Sequence, residues 1–274
     1  MVPAANIHPG AAMAERESDA VLDLADAARR YLADRPWLPA HGPAEPDPTA
    51  PPAAACEDLG LRIAAAYDRA TGPPDRTTLD GYRRLRAENL AQYHAAVRAG
   101  VRVVPWRGRG QPYADSADLR ERVRRTGTLA VYLTRDGHGP GPATDPHPMR
   151  EPSPVTVDGV VLTHNDVFRA VHDLFGHVLL GASFGPRGEF RATWSHLRMY
   201  PPEVHPVLFA EQIGQICWFF YGPHLLGPDG RPRRPGDPGH VPPGRRPYPE
   251  QKVVRLDAHL FEEFRTLFDR GETA

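Results

Sequence analysis

Residues 164–178 of this 274-residue chain carry the sequence HNDVFRAVHDLFGHV, which decides the fold of its centre. Two histidines, His172 and His177, stand five residues apart in it. On an uninterrupted α-helix a five-residue step turns the chain by roughly 500°, so the two side chains would point about 140° apart and would not bind one ion. A glycine at a helix end readily takes the left-handed conformation. We therefore expect a bend at Gly176 that brings both imidazoles to one metal ion.

Two acidic residues downstream are candidates for a third ligand. Glu211 is the first choice, because it lies on a helix with an apolar face, where a carboxylate is costly unless it is paired or binds a metal. Glu189, in the loop that leads into the preceding helix, is the alternative ligand, and a helix N-terminus also favours an acid there without any metal. Two imidazoles and one carboxylate form the facial triad of non-haem Fe(II) oxygenases. Both acids together would also suit a centre with two metals.

Further residues are candidates for supporting the metal and for binding a substrate. A metal-ligating histidine usually donates its other ring N–H to a carboxylate or carbonyl, so its neighbours matter. The supporting candidates are Asp173, Asp166 and His164. For a substrate pocket we expect aromatic walls, an amide and an arginine clamp for a carboxylate. These candidates are Trp194, Trp218, Phe219, Gln215, Arg169 and Arg187.

Two of these segments carry a resemblance to a known family. Residues 172–178 (HDLFGHV) are similar to the His-Glu-Leu-Leu-Gly-His-Val signature of the pterin-dependent aromatic amino acid hydroxylases, and residues 216–219 (ICWF) resemble their Ile-Tyr-Trp-Phe helix. The likeness spans Thr163 to Tyr221. It implies that both histidines bind iron in a helical core like the hydroxylase catalytic domain, with O₂ as a substrate and a pterin as cofactor.

The position of the hydroxylases' third ligand is not matched. In those enzymes a glutamate follows the tryptophan by four residues, and this chain has Gly222 there. The resemblance therefore leaves three alternatives, in which Glu211 binds the metal, Glu189 binds it, or the triad is incomplete.

The chain also resembles a broader set of bacterial and phage proteins, a likeness that implies a shared site but no particular reaction. Both Glu189 and Glu211 belong to that pattern. Its segments are Pro112-Tyr113 with Asp115-Ser116, residues 165–173, residues 184–189, Glu211 with Gly214-Gln215, and residues 248–252.

The periodicity of apolar residues predicts a mainly α-helical protein with a few short strands. Residues 1–55 are expected to form a helix capped by Ser18 and then a flexible Pro/Ala linker over residues 40–54. Residues 56–274 are expected to form a single catalytic domain, with its metal core at 160–222. The proline-rich segment 222–249 is expected to be either disordered or a cover over the active site.

Finer patterns predict individual elements of the catalytic domain. Two helices are expected between Glu57 and Gly100, and a last helix is expected to include residues 256–268. Residues 101–134 predict a strand, a helix capped by Ser116 and closed by Gly127, and a second strand.

Composition restricts the partners. The 33 basic and 34 acidic residues give a net charge of −1, so no overall field would attract nucleic acid or an anionic membrane. The two cysteines stand far apart in sequence, which argues against a disulfide framework and favours a reducing compartment. We expect a cytoplasmic protein that binds a small molecule and O₂, without nucleic acid or membrane; its oligomeric state is open.

These patterns favour a non-haem Fe(II) oxygenase that hydroxylates a small, aromatic or amino-acid-like substrate. One alternative keeps the site but places zinc there, to activate water for hydrolysis with the spare glutamate as general base. Another is a non-catalytic binding protein whose histidines are structural. The histidine pair, the glycine and the acid are costly features for a purely structural core, which favours the enzymes.

Overall fold

The computed structural model describes residues 23–33, 35, 51–136 and 146–269, which form a mainly helical fold with a few short strands, as expected. Short 3₁₀ turns link several of the elements. The helices are α1 (Leu24–Ala33), α2 (Ala53–Arg69), α3 (Arg76–Arg98), α4 (Ser116–Thr126), α5 (His164–His172), α6 (Pro186–Leu197), α7 (His205–Leu208), α8 (Gln215–Tyr221) and α9 (Ala258–Asp269), with two π-helical turns, π1 (Asp173–Val178) and π2 (Phe209–Gly214).

The predicted strand, helix and strand between residues 101 and 134 are confirmed. β1 (Arg102–Pro105) and β2 (Thr128–Val131) pair in parallel and are joined by α4. Asp115 caps α4 by accepting the backbone N–H groups of the second and third residues of the helix, so Ser116, the expected cap, is instead the first helical residue. Gly127 ends the helix with a φ of 64°, as its position predicted.

A β-hairpin precedes the central helix and was not expected. β3 (Pro152–Val157) and β4 (Val160–Thr163) run antiparallel, and both Asp158 and Gly159 at the turn between them have positive φ. An Asp-Gly pair between β-branched residues is a strong hairpin signal. The hairpin delivers the chain to Thr163, whose side chain caps α5 by accepting the N–H of Asp166.

The predicted N-terminal helix exists as α1 and packs on α3. The Tyr31 hydroxyl lies 2.7 Å from Glu88 Oε2 and 3.0 Å from the Met199 carbonyl oxygen. Ser18 and most of the expected linker lie outside the described residues. The structure starts α2 at Ala53, inside that linker, because an alanine run after Pro52 favours helix.

The proline-rich segment 222–249 has an irregular backbone broken by two 3₁₀ turns. Its last residues return to the loop after β1, where the Gln111 side-chain amide donates to the Tyr248 hydroxyl over 2.7 Å. The end of the segment, at Tyr248 and Pro249, therefore lies beside the loop after β1 and borders a pocket. Within the described part of the chain, no helix combines the length and apolar character needed to cross a bilayer.

Lys252, the single lysine in the sequence, closes the C-terminal end of α2. Its Nζ lies 3.1 Å from the carbonyl oxygen of Tyr67, 2.8 Å from that of Asp68 and 3.2 Å from that of Ala70. The last carbonyls of a helix have no partners within the helix, and a cation there satisfies them. This contact fixes the chain that follows segment 222–249 onto α2.

Replacing Lys252 by Met should lower the free energy of unfolding by about 1–2 kcal/mol, because the charged hydrogen bonds are lost while the apolar stem is kept. Denaturant unfolding measures the change. Arg76→Met is the control, because the Arg76 side chain is 92% exposed, and its stability should stay within about 0.5 kcal/mol of the parent. Equal stability of the parent and Lys252→Met would contradict this role of the lysine.

Candidate metal centre

The two histidines face one another because the helix widens between them. The expected left-handed bend at Gly176 is wrong, because Gly176 lies inside π1 and is not among the glycines with positive φ. The Leu179 N–H bonds to the Leu174 carbonyl five residues back, over 2.9 Å. In such a turn, side chains five residues apart fall on the same side. The ring centroids of His172 and His177 are 4.8 Å apart, edge to face.

Gly176 is needed at this turn for space rather than for its backbone angles. A Cβ atom at this position would lie 3.0 Å from the Cβ of Ala192 on α6 and 3.1 Å from Cε1 of His172. Both distances are tighter than ordinary van der Waals contact. The missing side chain therefore lets π1 approach α6 closely and leaves room for the His172 ring beside this contact.

Glu189, in the first turn of α6, reaches both histidines. Its Oε2 lies 3.3 Å from Nε2 of His172, and its Oε1 lies 3.6 Å from Nε2 of His177. One ligand atom from each of the three residues lies within 4.8 Å of the other two. The loop before α6 packs tightly here, since a Cβ at Gly188 would lie 2.0 Å from the Ser183 carbonyl oxygen. The fold thus brings the alternative acid to the histidine pair.

The charges of this group are strongly coupled. Burial disfavours the charged form of His177, but the Glu189 carboxylate outweighs it and raises the pKa of His177 to about 9. Burial likewise opposes ionisation of Glu189, yet His177 and His172 lower its pKa to about 2. His177 Nδ1 lies 2.9 Å from the Ala182 carbonyl oxygen and donates to it. That bond leaves Nε2 directed at Glu189, the arrangement typical of a metal-ligating histidine.

Glu211, the first choice from sequence, lies in a separate hydrogen-bonded group. The hydroxyl of Tyr82 donates to its Oε1, and Nε2 of His147 lies 3.3 Å from the same oxygen. The Gln215 amide donates to its Oε2 over 2.9 Å. Among the described residues, the cluster suited to a metal comprises His172, His177 and Glu189, without Glu211.

The three supporting candidates lie in different surroundings. Asp173 borders the pocket described below, and burial raises its pKa although His177 and His172 act in the opposite direction. Asp166 instead accepts the backbone N–H and the hydroxyl of Thr134, both at 2.6 Å. His164 Nε2 lies 2.8 Å from the Arg86 guanidinium, and burial together with Arg86 lowers the pKa of His164 to about 4. Asp166 and His164 therefore position α5.

The cluster of His172, His177 and Glu189 borders a pocket of about 410 Å³, a volume suited to a small organic molecule. Of the predicted substrate-binding residues, Arg169, Gln215 and Phe219 border this pocket.

The other three predicted substrate-binding residues lie elsewhere. Trp194 stacks on Phe268 of α9, with ring centroids 5.0 Å apart. The indole of Trp218 donates to Asp68, and Arg187 donates to the Pro51 carbonyl oxygen, each over 2.9 Å. The π2 turn adds one residue to the helical period between Glu211 and Trp218, so these two side chains do not share a helix face.

Two residues near His172 were not expected to belong to this site. The side-chain nitrogen of Gln212 lies 2.6 Å from each ring nitrogen of His172. The His196 ring lies 5.7 Å from the His172 ring, and burial lowers the pKa of His196 well below the usual value. For Gln212 the sequence offered one signal, namely its position next to Glu211, and for His196 it offered none.

Comparison with protein-family models, curated proteins and solved structures finds no match to this chain.

Replacing Gly176 by Ala should weaken Zn(II) binding by about tenfold or more, because the added methyl group displaces His172 or separates π1 from α6. Competition with a chromophoric chelator measures the affinity. Gly244→Ala is the matched control, since its Cβ would meet nothing within 4 Å. Unchanged Zn(II) affinity in Gly176→Ala would show that the position of His172 does not matter for the metal.

Proposed function

We propose that this protein is a non-haem Fe(II)-dependent oxygenase that hydroxylates a small, aromatic or amino-acid-like substrate, with His172, His177 and Glu189 as the metal ligands. The convergence of these three side chains beside a 410 Å³ pocket carries the proposal. Two imidazoles and one carboxylate leave several coordination positions of an iron ion free. When bound, Fe(II) would supply the redox chemistry that couples O₂ to oxidation of a substrate.

The surrounding residues supply orientation and shelter. The Ala182 carbonyl holds the His177 ring through Nδ1, and Gln212 contacts the edge of the His172 ring. Phe184 packs edge to face on His177, with ring centroids 4.8 Å apart, and limits the access of water. The resemblance of residues 172–178 to the hydroxylase signature supports iron as the metal, whereas the third ligand comes from α6 rather than from the position that the hydroxylases use.

Electron paramagnetic resonance of the nitric oxide adduct tests this centre. Protein loaded anaerobically with one equivalent of Fe(II) should give an S = 3/2 signal. His172→Ala, His177→Ala and Glu189→Gln should lose it or lose the iron, because each removes a ligand. Glu211→Gln should keep the signal, because Glu211 is bonded to Tyr82 and Gln215 instead.

Two exposed residues provide matched controls for these variants. His259 and Glu262 have side chains that are 76% and 59% exposed, so His259→Ala and Glu262→Gln should bind iron like the parent. Far-ultraviolet circular dichroism establishes that each variant is folded. Loss of the signal in Glu211→Gln but not in Glu189→Gln would reverse the assignment of the third ligand.

A zinc-dependent hydrolase is the second candidate, and the position of Glu211 favours it specifically. A second buried carboxylate borders the same pocket and is suited to act as general base for a zinc-activated water. Elemental analysis after parallel anaerobic and aerobic purification separates the two candidates. We expect iron in the anaerobic preparation; one equivalent of zinc in both preparations, without iron, would favour the hydrolase.

A further inference from the structure

Glu211 is buried beside the pocket, and among the described residues it forms no ion pair with Arg or Lys. Its side chain is 1% exposed. Oε1 is approached by the Tyr82 hydroxyl and by His147 Nε2, and Oε2 by the Gln215 amide. Within the described part of the chain, the ion pairs of Glu211 involve His147 alone, at 3.3 Å. The carboxylate is thus surrounded by hydrogen-bond donors rather than by Arg or Lys.

His147 faces the same carboxylate, but its Nε2 makes no hydrogen bond to it. The backbone N–H of Met149 donates to His147 Nδ1 over 3.2 Å, so the proton of the neutral ring lies on Nε2, which faces Glu211. A carboxylate offers about four acceptor positions, two on each oxygen. Tyr82 takes one position on Oε1 and Gln215 takes one on Oε2, which leaves a position on Oε2 for a further donor.

The next residue supplies an independent indication of a polar ligand. Gln212 is 5% exposed and borders the pocket. One end of its amide meets His172, and its Oε1 has no hydrogen-bond partner. In either orientation of the amide, one of its ends is left without a partner. A buried polar atom without a partner is costly, so such an atom beside a pocket indicates a ligand that pairs with it.

The same wall of the pocket continues as an aromatic surface. Phe219 lies one turn beyond Gln215 on α8, and its ring stacks on Tyr248 with centroids 6.0 Å apart. Both rings border the pocket. Aromatic rings attract cations, as the Arg246 guanidinium carbon 5.8 Å from the Phe219 centroid illustrates, and they offer apolar surface to the carbon atoms of a ligand. Carboxylate, amide and aromatic rings therefore stand together on one side of the pocket.

The cation at the pocket, Arg169, is already engaged by protein groups. Its guanidinium donates to the Tyr132 carbonyl oxygen over 2.8 Å, and the carboxylates of Asp166 and Asp173 attract it. Arg169 therefore has acidic neighbours, whereas Glu211 has no Arg or Lys partner within the described residues. This contrast favours a ligand that brings a positive charge over one that brings a carboxylate.

We propose that Glu211, Gln212 and the Phe219–Tyr248 pair form a subsite for a protonated amine carried by the pocket's ligand. The ammonium group would donate to the open position on Glu211 Oε2 and to the Gln212 amide oxygen, with its alkyl carbons against the aromatic rings. The subsite implies that the substrates are small amines with an apolar body, and this assignment of substrate class rests on the proposed function. Amine binding itself is measured without turnover.

Three probes of similar size and different charge test the subsite, namely 2-phenylethylamine, 2-phenylethanol and 3-phenylpropionate. Isothermal titration calorimetry on the full chain at pH 7, with and without one equivalent of Zn(II), measures their Kd values. The amine should bind at least about tenfold more tightly than either other probe in both states. In the metal-free protein the carboxylate probe has no metal to bind, so these titrations report directly which ligand charge the pocket prefers.

Two variants assign the preference to the proposed residues. Glu211→Gln keeps the shape of the side chain and should weaken amine binding about tenfold or more, with little effect on the alcohol. Phe219→Leu keeps the carboxylate and should weaken amine binding severalfold. Glu262→Gln, on the exposed face of α9, is the control and should bind all three probes like the parent.

The outcomes separate this inference from the proposed function. Equal affinity for amine and alcohol, tightest binding of the carboxylate, or an unchanged amine Kd in Glu211→Gln would each overturn the amine subsite. The Zn(II) and Fe(II) contents of the same samples report on the metal centre independently. An amine preference in protein that binds no metal would support the subsite and overturn the oxygenase.

Discussion

The close contact between π1 and α6 is the constraint on which the site depends. Without a side chain at Gly176, the π-helical turn approaches Ala192 closely, and the His172 ring packs beside the same glycine. The wider turn also places His177 on the same side as His172. Since Glu189 stands one turn before Ala192 on α6, the contact that aligns the histidines also brings in the carboxylate. Packing of two helical segments thus assembles three ligands.

The two buried glutamates of the pocket differ in the groups that surround their carboxylates. Glu189 lies between two imidazoles, and one of them is readily protonated when no metal is bound. Glu211 is held by the neutral donors Tyr82 and Gln215, with His147 nearby. A carboxylate beside imidazoles that can lose their protons suits a metal ion, which takes the place of those protons. A carboxylate surrounded by neutral donors suits a ligand that brings a positive charge. One pocket therefore holds two carboxylates with different expected roles.

Local sequence patterns were sufficient where the physics is local. Helix and strand positions between residues 101 and 134 followed from apolar periodicity and from the glycine stop at Gly127. The hairpin turn at Asp158-Gly159 carried an equally local signal that the sequence analysis overlooked. Periodicity gave no warning of the π-helical turns, because a single inserted residue changes which side chains share a face without changing composition.

Apolar periodicity and residue spacing alone predict that the centre is helical, that His172 and His177 are the candidate ligand pair, and that Glu189 and Glu211 are the candidate acids. Which acid meets the histidines depends on the contact between π1 and α6. A loop separates these two segments in the chain, so the helical period of one does not continue into the other. The tertiary structure also decides that Phe219 rather than Trp218 borders the pocket. Contacts between separate segments are set by the packing of whole helices, and no local pattern of residues encodes them.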